Sequence, residues 1–467
     1  MSHSVTPNDT IVALATPPGS GAIAVIRLSG PQAISLVSSC FRAASGRSLE
    51  DCPGHTIHLG NLYEGERLLD EVLVSVFRAP RSYTGENVVE ISCHGSPYIQ
   101  QEILQCFLAR GCRMARAGEF TLRAFLHGKM DLSQAEAVAD LIASENEASH
   151  QIALQQMRGG YSSEIRDLRD QLIHFASMIA LELDFSGEDV EFADREAFRE
   201  LLEKIARLLK KLIDSFAMGN VIKKGIPIAI AGQPNVGKST LLNALLQEER
   251  AIVSDIAGTT RDAIEDEITL QGIGFRFIDT AGLRETADTI ESIGIQRTYE
   301  KMEQARILVY MVDGTALDGE GLEKARLESE ALRAQYPGKP ILLLANKKDL
   351  LSPVRQDEIA RTLEGILFIS AKTGEGLEEL QQRLLGFIQT GLLRNNDPIV
   401  SNSRHYEALT RALEAIHRVQ EGMAGEVPTD LVSIDINQAL FHLGEITGQI
   451  STDDLLGNIF SNFCIGK

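Results

Sequence analysis

The hydrophobic positions change rhythm several times along the chain. Up to about residue 120 they fall in short runs, at 10–15, 23–28, 72–77 and 88–92, separated by Gly and Pro turns. Such runs predict strands with a few helices, an α+β arrangement. From Ser133 onward Gly and Pro become scarce, and Leu132, Ala135, Val138, Leu141 and Ile142 recur at the spacing of one helix face. A second helical pattern covers 199–216 and is expected to end before Met218-Gly219-Asn220. At Ile226 strand and helix signals begin to alternate and continue to Ile388, which predicts a doubly wound α/β unit of about 165 residues. Helical spacing returns at 404–420 and 433–448. The expected organisation is a multidomain α/β and α protein, a helical domain interrupted by an inserted α/β domain: residues 1–122, 123–222, 223–388 and 389–467.

A chain of 467 residues exceeds one compact core, which fits that division. Hydrophobic residues at 44% and charged residues at 24% place it with ordinary soluble proteins, and no apolar run approaches the roughly 18 residues of a membrane span. The polar first ten residues lack a secretory layout, so a cytoplasmic site is expected. The six cysteines form no CxxC pair, which points to neither zinc nor a disulfide framework. A net charge of −20 argues against broad nucleic-acid binding, so any RNA contact is local or supplied by a partner.

The strand pattern Ile228-Ala229-Ile230-Ala231 leads into Gly232-Gln233-Pro234-Asn235-Val236-Gly237-Lys238-Ser239, followed by a helical pattern from Thr240. Strand, full motif and helix together make a P-loop. Its backbone N–H groups from Asn235 to Thr240 turn toward phosphate, Lys238 reaches the outer phosphates, and the Ser239 hydroxyl takes Mg²⁺. Later motifs select the base. Asn346-Lys347-Lys348-Asp349 follows a strand, and the Asp349 carboxylate accepts from the two N–H groups on guanine's Watson–Crick edge, a pair adenine lacks. Ser370-Ala371-Lys372 follows another strand and supports the base by backbone contacts. Asp279-Thr280-Ala281-Gly282 places a carboxylate near the metal's water shell and a glycine at the γ-phosphate; Thr259-Thr260 lies between, with Thr260 completing the Mg²⁺ sphere.

Two positions bear on mechanism. Where many GTPases place Gln after Asp-Thr-Ala-Gly, this chain has Leu283, which can hold no water. Glu291 is the candidate water-positioning acid, set against the plainer reading of a solvated acidic residue on a surface helix. Arg284 is either a phosphate contact or a solvated cation. Asn235, with loop carbonyls at Ser254, Ile256 and Thr259, either holds a monovalent cation such as K⁺ beside the phosphates or simply braces the loop.

Gly-Gln-Pro-Asn-Val-Gly-Lys-Ser at 232–239, Asp-Ile-Ala-Gly-Thr-Thr-Arg-Asp at 255–262 and Asp-Thr-Ala-Gly-Leu-Arg at 279–284 resemble the bacterial tRNA-modification GTPase family MnmE, also called TrmE. Asn8 to Ala13, Thr16-Pro17-Pro18-Gly19, Arg116-Ala117-Gly118-Glu119-Phe120, Lys129-Met130-Asp131-Leu132 and the terminal Phe463-Cys464-Ile465-Gly466-Lys467 extend the resemblance to both ends. It implies a folate-binding N-terminal domain, a helical domain split around the G domain, and a homodimer formed through the N-terminal domains. It also implies an FAD partner of the MnmG type, in a heterotetramer or larger, and an aminomethyl-type group installed at C5 of the wobble uridine of certain tRNAs. K⁺-activated hydrolysis on meeting of the two G domains follows too, with Asn235 and Glu291 matching the family's cation ligand and water-positioning acid. Arg27, Glu90, Lys129 and Lys467 match its folate-contacting positions (5-formyl- or methylene-tetrahydrofolate), and Cys464 stands beside that pocket. Set apart from the resemblance, Arg27, Glu90 and Lys129 read equally as surface ion-pair residues. His94 reads as a satisfied structural histidine.

Two rival functions remain. A ribosome-assembly GTPase would carry an RNA-binding module or a second G domain, but there is one P-loop, and the C-terminal part shows the acidic pair Asp453-Asp454. A folate-dependent transferase with a regulatory G domain would keep its activity when hydrolysis is blocked.

Overall fold

The computed structural model describes residues 9–184, 194–250, 266–278, 302–388, 398–425, 428–461 and 463–466. Contacts divide the chain into two compact units. One comprises Met1–Ala143, Ala153–Lys210 and Glu407–Lys467, the other Ser144–Ile152 and Lys211–Tyr406.

The first unit opens with a seven-stranded sheet. Its strands are β1 (Ile11–Leu14), β2 (Ile23–Ser29), β3 (Phe41–Ala43), β4 (Thr56–Glu64), β5 (Arg67–Phe77), β6 (Val88–His94) and β7 (Arg113–Met114), in the order β3-β4-β5-β6-β2-β1-β7. All neighbours are antiparallel except β1 and β7. Period-2 alternation sends Val72, Val74 and Val76 of β5 and Val89 and Ile91 of β6 into a core closed by helices α1 (Ala33–Cys40) and α2 (Pro97–Ala109). The opposite face carries Arg27 and Glu90, paired in register, and the exposed Ile57, Leu59 and Leu73.

Helices α3 (Glu119–Leu126), α4 (Leu132–Ala143), α5 (Glu147–Met157), α6 (Ser162–Asp184) and α7 (Arg195–Lys223) follow. The expected end of α7 before Met218 is corrected by the structure, which carries the helix through Gly219 to Lys223. Gly219 is there for close approach: a Cβ would stand 2.2 Å from the Val400 carbonyl oxygen, and Val400 N donates to Ser215 Oγ at 3.0 Å.

The second unit holds a six-stranded sheet of β8 (Ile226–Ala231), β9 (Asp266–Leu270), β10 (Ile273–Phe277), β11 (Ile307–Asp313), β12 (Ile341–Asn346) and β13 (Leu367–Phe368), in the order β13-β12-β11-β8-β10-β9. Only the β9–β10 pair is antiparallel. Successive residues feed opposite cores. Ile307, Val309 and Met311 of β11 face one cluster, and Leu308, Tyr310 and Val312 the other. Burial on both faces is what unbroken apolar strands require, and the helices that supply it are α8 (Lys238–Arg250), α9 (Gly319–Gln335), α10 (Pro353–Thr362) and α11 (Leu377–Gly386).

The chain ends with α12 (Ser403–Ala424), α13 (Thr429–Thr447) and α14 (Asp453–Ser461). Within the first unit α13 packs along α6, with Arg169 Nε donating to the Leu440 carbonyl at 3.2 Å. Phe460 and Phe463 pack against Leu132 and Ala135 of α4. The tail then returns to the N-terminal sheet: Ile465 forms an antiparallel bridge with Ala117, and a Cβ on Gly466 (φ +100°) would meet the Leu14 carbonyl oxygen at 2.3 Å. Among the described residues no helix is long and apolar enough to cross a membrane.

Candidate functional site

The P-loop sits where β8 gives way to α8, so the N–H groups of the first helical turn, which lack intrahelical acceptors, face the loop. Asn235 has φ +64°, and Gly237 has φ +101° with room for nothing larger, since a Cβ would lie 2.3 Å from Asn346 Nδ2. Gly232 is as confined, 2.1 Å from the Met311 carbonyl oxygen by the same measure. Lys238 Nζ lies across the loop, donating to the carbonyls of Gly232 (2.7 Å) and Gln233 (2.8 Å). Burial pushes its pKa down from the ordinary lysine value. Val236 is buried, Ser239 half-buried, and Asn235 and Thr240 are exposed.

The two later motifs are wired to that loop. Asn346, buried at the end of β12, donates from Nδ2 to the Val236 carbonyl (2.8 Å) and accepts at Oδ1 from Ala371 N (2.9 Å). One side chain therefore ties the P-loop to the Ser370-Ala371-Lys372 loop. Asp349 accepts from Ser370 Oγ at 2.6 Å through Oδ1 and is otherwise exposed. Lys347, at φ +66°, extends Nζ to Asp313 Oδ2 at 2.6 Å. Burial pushes the Asp313 carboxyl up, but its bonds to Lys347 and Thr315 outweigh this and hold it below the ordinary value. Asp313 is the member that motif reading missed; its signal is Asp313-Gly314-Thr315 directly after the β11 run.

Asn235, Val236, Gly237, Lys238, Ser239, Thr240, Asn346, Lys347, Asp349, Ser370, Ala371 and Lys372 thus all belong to one end of the β8–β11–β12–β13 sheet. Ser254, Ile256, Thr259, Thr260, Asp279, Thr280, Ala281, Gly282, Leu283, Arg284 and Glu291 lie outside the described residues, as does Lys467.

A second polar centre lies on the N-terminal sheet. Arg27 of β2 donates from Nε to Glu90 Oε1 (2.8 Å) and from Nη1 to the Gly466 carbonyl (3.1 Å), with its guanidinium 5.6 Å from the ring centroids of both Tyr83 and Phe120. Lys129 is exposed and donates to the Pro80 carbonyl at 3.1 Å. Cys464 is exposed, its carbonyl accepting from Gly118 N at 3.4 Å. His94 is held by Asp70, which accepts from both its backbone N–H and its ring Nδ1 at 2.8 Å.

Beside this centre a buried ion network fixes α3 to the chain's start. Arg123, 3% exposed, donates to Asp9 and Glu119, while Arg113 bonds to both carboxylates as well. Burial pushes both carboxyls up, but the arginine bonds win and hold both below their ordinary values. The stability they contribute is therefore full above about pH 4.5 and is lost as pH falls through the depressed folded values. Replacing Arg123 by Ala removes the buried one of the two guanidiniums that pair with Asp9 and Glu119 and is expected to cost about 3 kcal/mol. Thermal unfolding of full-length protein at pH 7 checks this; a melting temperature unchanged by Arg123→Ala would refute it.

Comparison with known proteins decides the family. The model described as "MnmE helical domain" matches residues 132–464, and that described as "GTP-binding protein TrmE N-terminus" matches 10–129. A protein of Christiangramia forsetii named tRNA modification GTPase MnmE is 61% identical, covering 98% of this chain and 99% of its own length. The chain belongs to the MnmE family of tRNA modification GTPases. Flavobacterium psychrophilum has a relative of the same name, 60% identical over 98% of this chain and 99% of its own. Among solved structures, the G domain of the T. maritima FeoB iron transporter is 27% identical, covering 35% of this chain and 99% of that one, with a TM-score of 0.26. The two family models together span 10–129 and 132–464, a stretch that includes the P-loop and the Asn346–Asp349 and Ser370–Lys372 motifs of the second unit as well as Arg27 and Glu90 of the first.

Proposed function

We propose that this MnmE-family GTPase acts with an FAD-containing protein of the MnmG type to install an aminomethyl-type group at C5 of the wobble uridine of certain tRNAs. The observation that carries the reading is that one chain, matching a relative over 98% of its length, holds both a P-loop tied through Asn346 to the Ala371 loop and an Arg27–Glu90 pair whose arginine meets the Gly466 carbonyl. The first suits a nucleotide-driven conformational cycle. The second suits a reduced folate, 5-formyl- or methylene-tetrahydrofolate, as one-carbon source: Glu90 accepts from the pterin's amino and N–H groups, and Arg27, Lys129 and Lys467 meet carboxylates. The Tyr83 and Phe120 rings beside the half-buried Arg27 suit a flat heterocycle on the same face.

In this reading Ser239 and Thr260 hold Mg²⁺, which neutralises charge on the phosphates, and Asn235 with the carbonyls of Ser254, Ile256 and Thr259 holds K⁺. Glu291 positions water in place of the Gln that Leu283 replaces. The protein works in the cytoplasm as a homodimer through its N-terminal domain; the exposed Ile57, Leu59 and Leu73 on one sheet face supply apolar area for that contact. The domains are 1–122, 123–222, 223–388 and 389–467.

Nucleoside analysis of tRNA from cells lacking this protein tests the assignment. C5-modified wobble uridines are expected to disappear and to return when the wild-type chain is restored. Unchanged wobble uridines, with the protein sedimenting on ribosomal subunits, would favour an assembly GTPase instead.

A further inference from the structure

The β9–β10 hairpin makes a contact that nucleotide binding does not need. Its turn, Gln271-Gly272 (φ +48° and +79°), closes on the N-terminus of α5, where Ala148 N donates to the Gly272 carbonyl at 2.9 Å. A Cβ on Gly272 would stand 2.8 Å from Glu147 Cβ, and one on Gly274 2.7 Å from Asn146 Nδ2. Asn146 is itself buried and caps the helix, its Oδ1 accepting from Ser149 N at 2.9 Å and its carbonyl from His150 N at 3.0 Å. A helix start leaves its first N–H groups without partners. Here one is satisfied by the cap and another by the hairpin's own carbonyl, so the two elements share a hydrogen-bond set. Packing follows the same line, because Ala148 and Ile152 lie in one apolar cluster with Ile268, Ile273 and Phe275.

The far ends of the hairpin are the ends that matter for GTP. β9 begins at Asp266, shortly after Thr259-Thr260, and β10 ends at Phe277, just before Asp279. The two strands are paired along their whole length, Asp266 opposite Phe277 and Leu270 opposite Ile273, so a shift imposed at one end reaches the turn through a hydrogen-bonded ladder. Helix α5 then runs unbroken from Glu147 to Met157, out of the GTPase unit.

We propose that the junction of Gly272 with Asn146-Glu147-Ala148 is the relay through which nucleotide state is passed from the GTPase unit into the helical part of the chain. It rests on the GTPase reading and adds a route for its output. The physical requirement is an element whose arrangement differs between nucleotide states, since a ligand shifts only what it binds differentially.

The test has two arms, both on the full-length chain. In the wild type, amide hydrogen exchange across residues 144–152 is expected to differ by roughly tenfold between the GDP complex and a complex with Mg²⁺ and a non-hydrolysable GTP analogue. Equal exchange in the two states overturns the relay. In the second arm, Gly272→Val and, separately, Asn146→Ala are compared with wild type for GTP turnover in vitro and for modified wobble uridine in complemented cells. Turnover within about twofold, with modification reduced roughly fivefold or more, is the expected split. A parallel fall of both, or no change in either, overturns it. If Gly272→Val fails to fold, Asn146→Ala and the exchange arm decide. Failure of the function reading is distinguishable, because the wild type would then show no modification before any variant is made.

Discussion

Asp349→Asn is expected to weaken GTP binding by roughly 10²–10³-fold while making xanthosine triphosphate a better ligand than it is for the wild type. The wild-type carboxylate offers only acceptors, and guanine presents two N–H donors to it. An amide in the same place turns one acceptor into a donor, which meets guanine's amino group donor to donor and leaves a polar pair unsatisfied in the base pocket. Xanthine carries a carbonyl where guanine carries that amino group, so the Asn NH₂ finds a partner. Ser370 Oγ, bonded to Asp349 Oδ1 at 2.6 Å, keeps the side chain aimed in one direction. Asn346 still joins the P-loop to the Ala371 loop, so the phosphate contacts survive the change. Equilibrium titration with both nucleotides measures the effect. Unaltered GTP affinity in Asp349→Asn would remove this residue from base recognition.

The gathering of the P-loop, Asn346–Asp349 and Ser370–Lys372 at one sheet end was readable in the sequence because each is a contiguous motif after a strand, and β8, β12 and β13 all lie where the apolar runs placed them. The same holds for β1, β2 and β6, whose inward residues form unbroken apolar patterns. β4 and the first half of β5 were not readable. Their outward positions mix Ile57 and Leu59 with Asn61 and Glu71, and the inward face of β4 carries His58 and Gly60, so neither alternation nor an apolar run stands out. Gly219 misled for a related reason: glycine breaks an isolated helix, and only the carbonyl of Val400, far along the chain, explains its place inside one. The attachment of Ser144–Ile152 to the α/β unit and the return of Gly466 to Arg27 are likewise tertiary facts with no local sign. Asn346 shows the limit most clearly. The motif identifies it, but its task of holding two loops together emerges only from its bonds to Val236 and Ala371.

Glu291→Ala is expected to lower GTP turnover by roughly 10²–10³-fold with nucleotide affinity nearly unchanged, the loss typical of removing a group that acts at the transition state. The Leu283 side chain has no atom that can orient water, so a side-chain acceptor must come from elsewhere, and Glu291 follows it in the sequence. A carboxylate on a solvated helix would leave both quantities untouched on replacement, which makes single-turnover hydrolysis and GTP titration decisive between the two readings. The cation supplies an independent check. If Asn235 and its neighbouring carbonyls hold K⁺ against the phosphates, wild-type turnover is faster in K⁺ than in Na⁺ at equal ionic strength, because the smaller ion fits a carbonyl cage less well. Asn235→Ala should then erase the difference between the salts while keeping a basal rate. Equal wild-type rates in both salts would leave Asn235 as a brace for the loop. Glu291 and Asn235 are thereby tested separately, one through the water and the other through the charge on the phosphates.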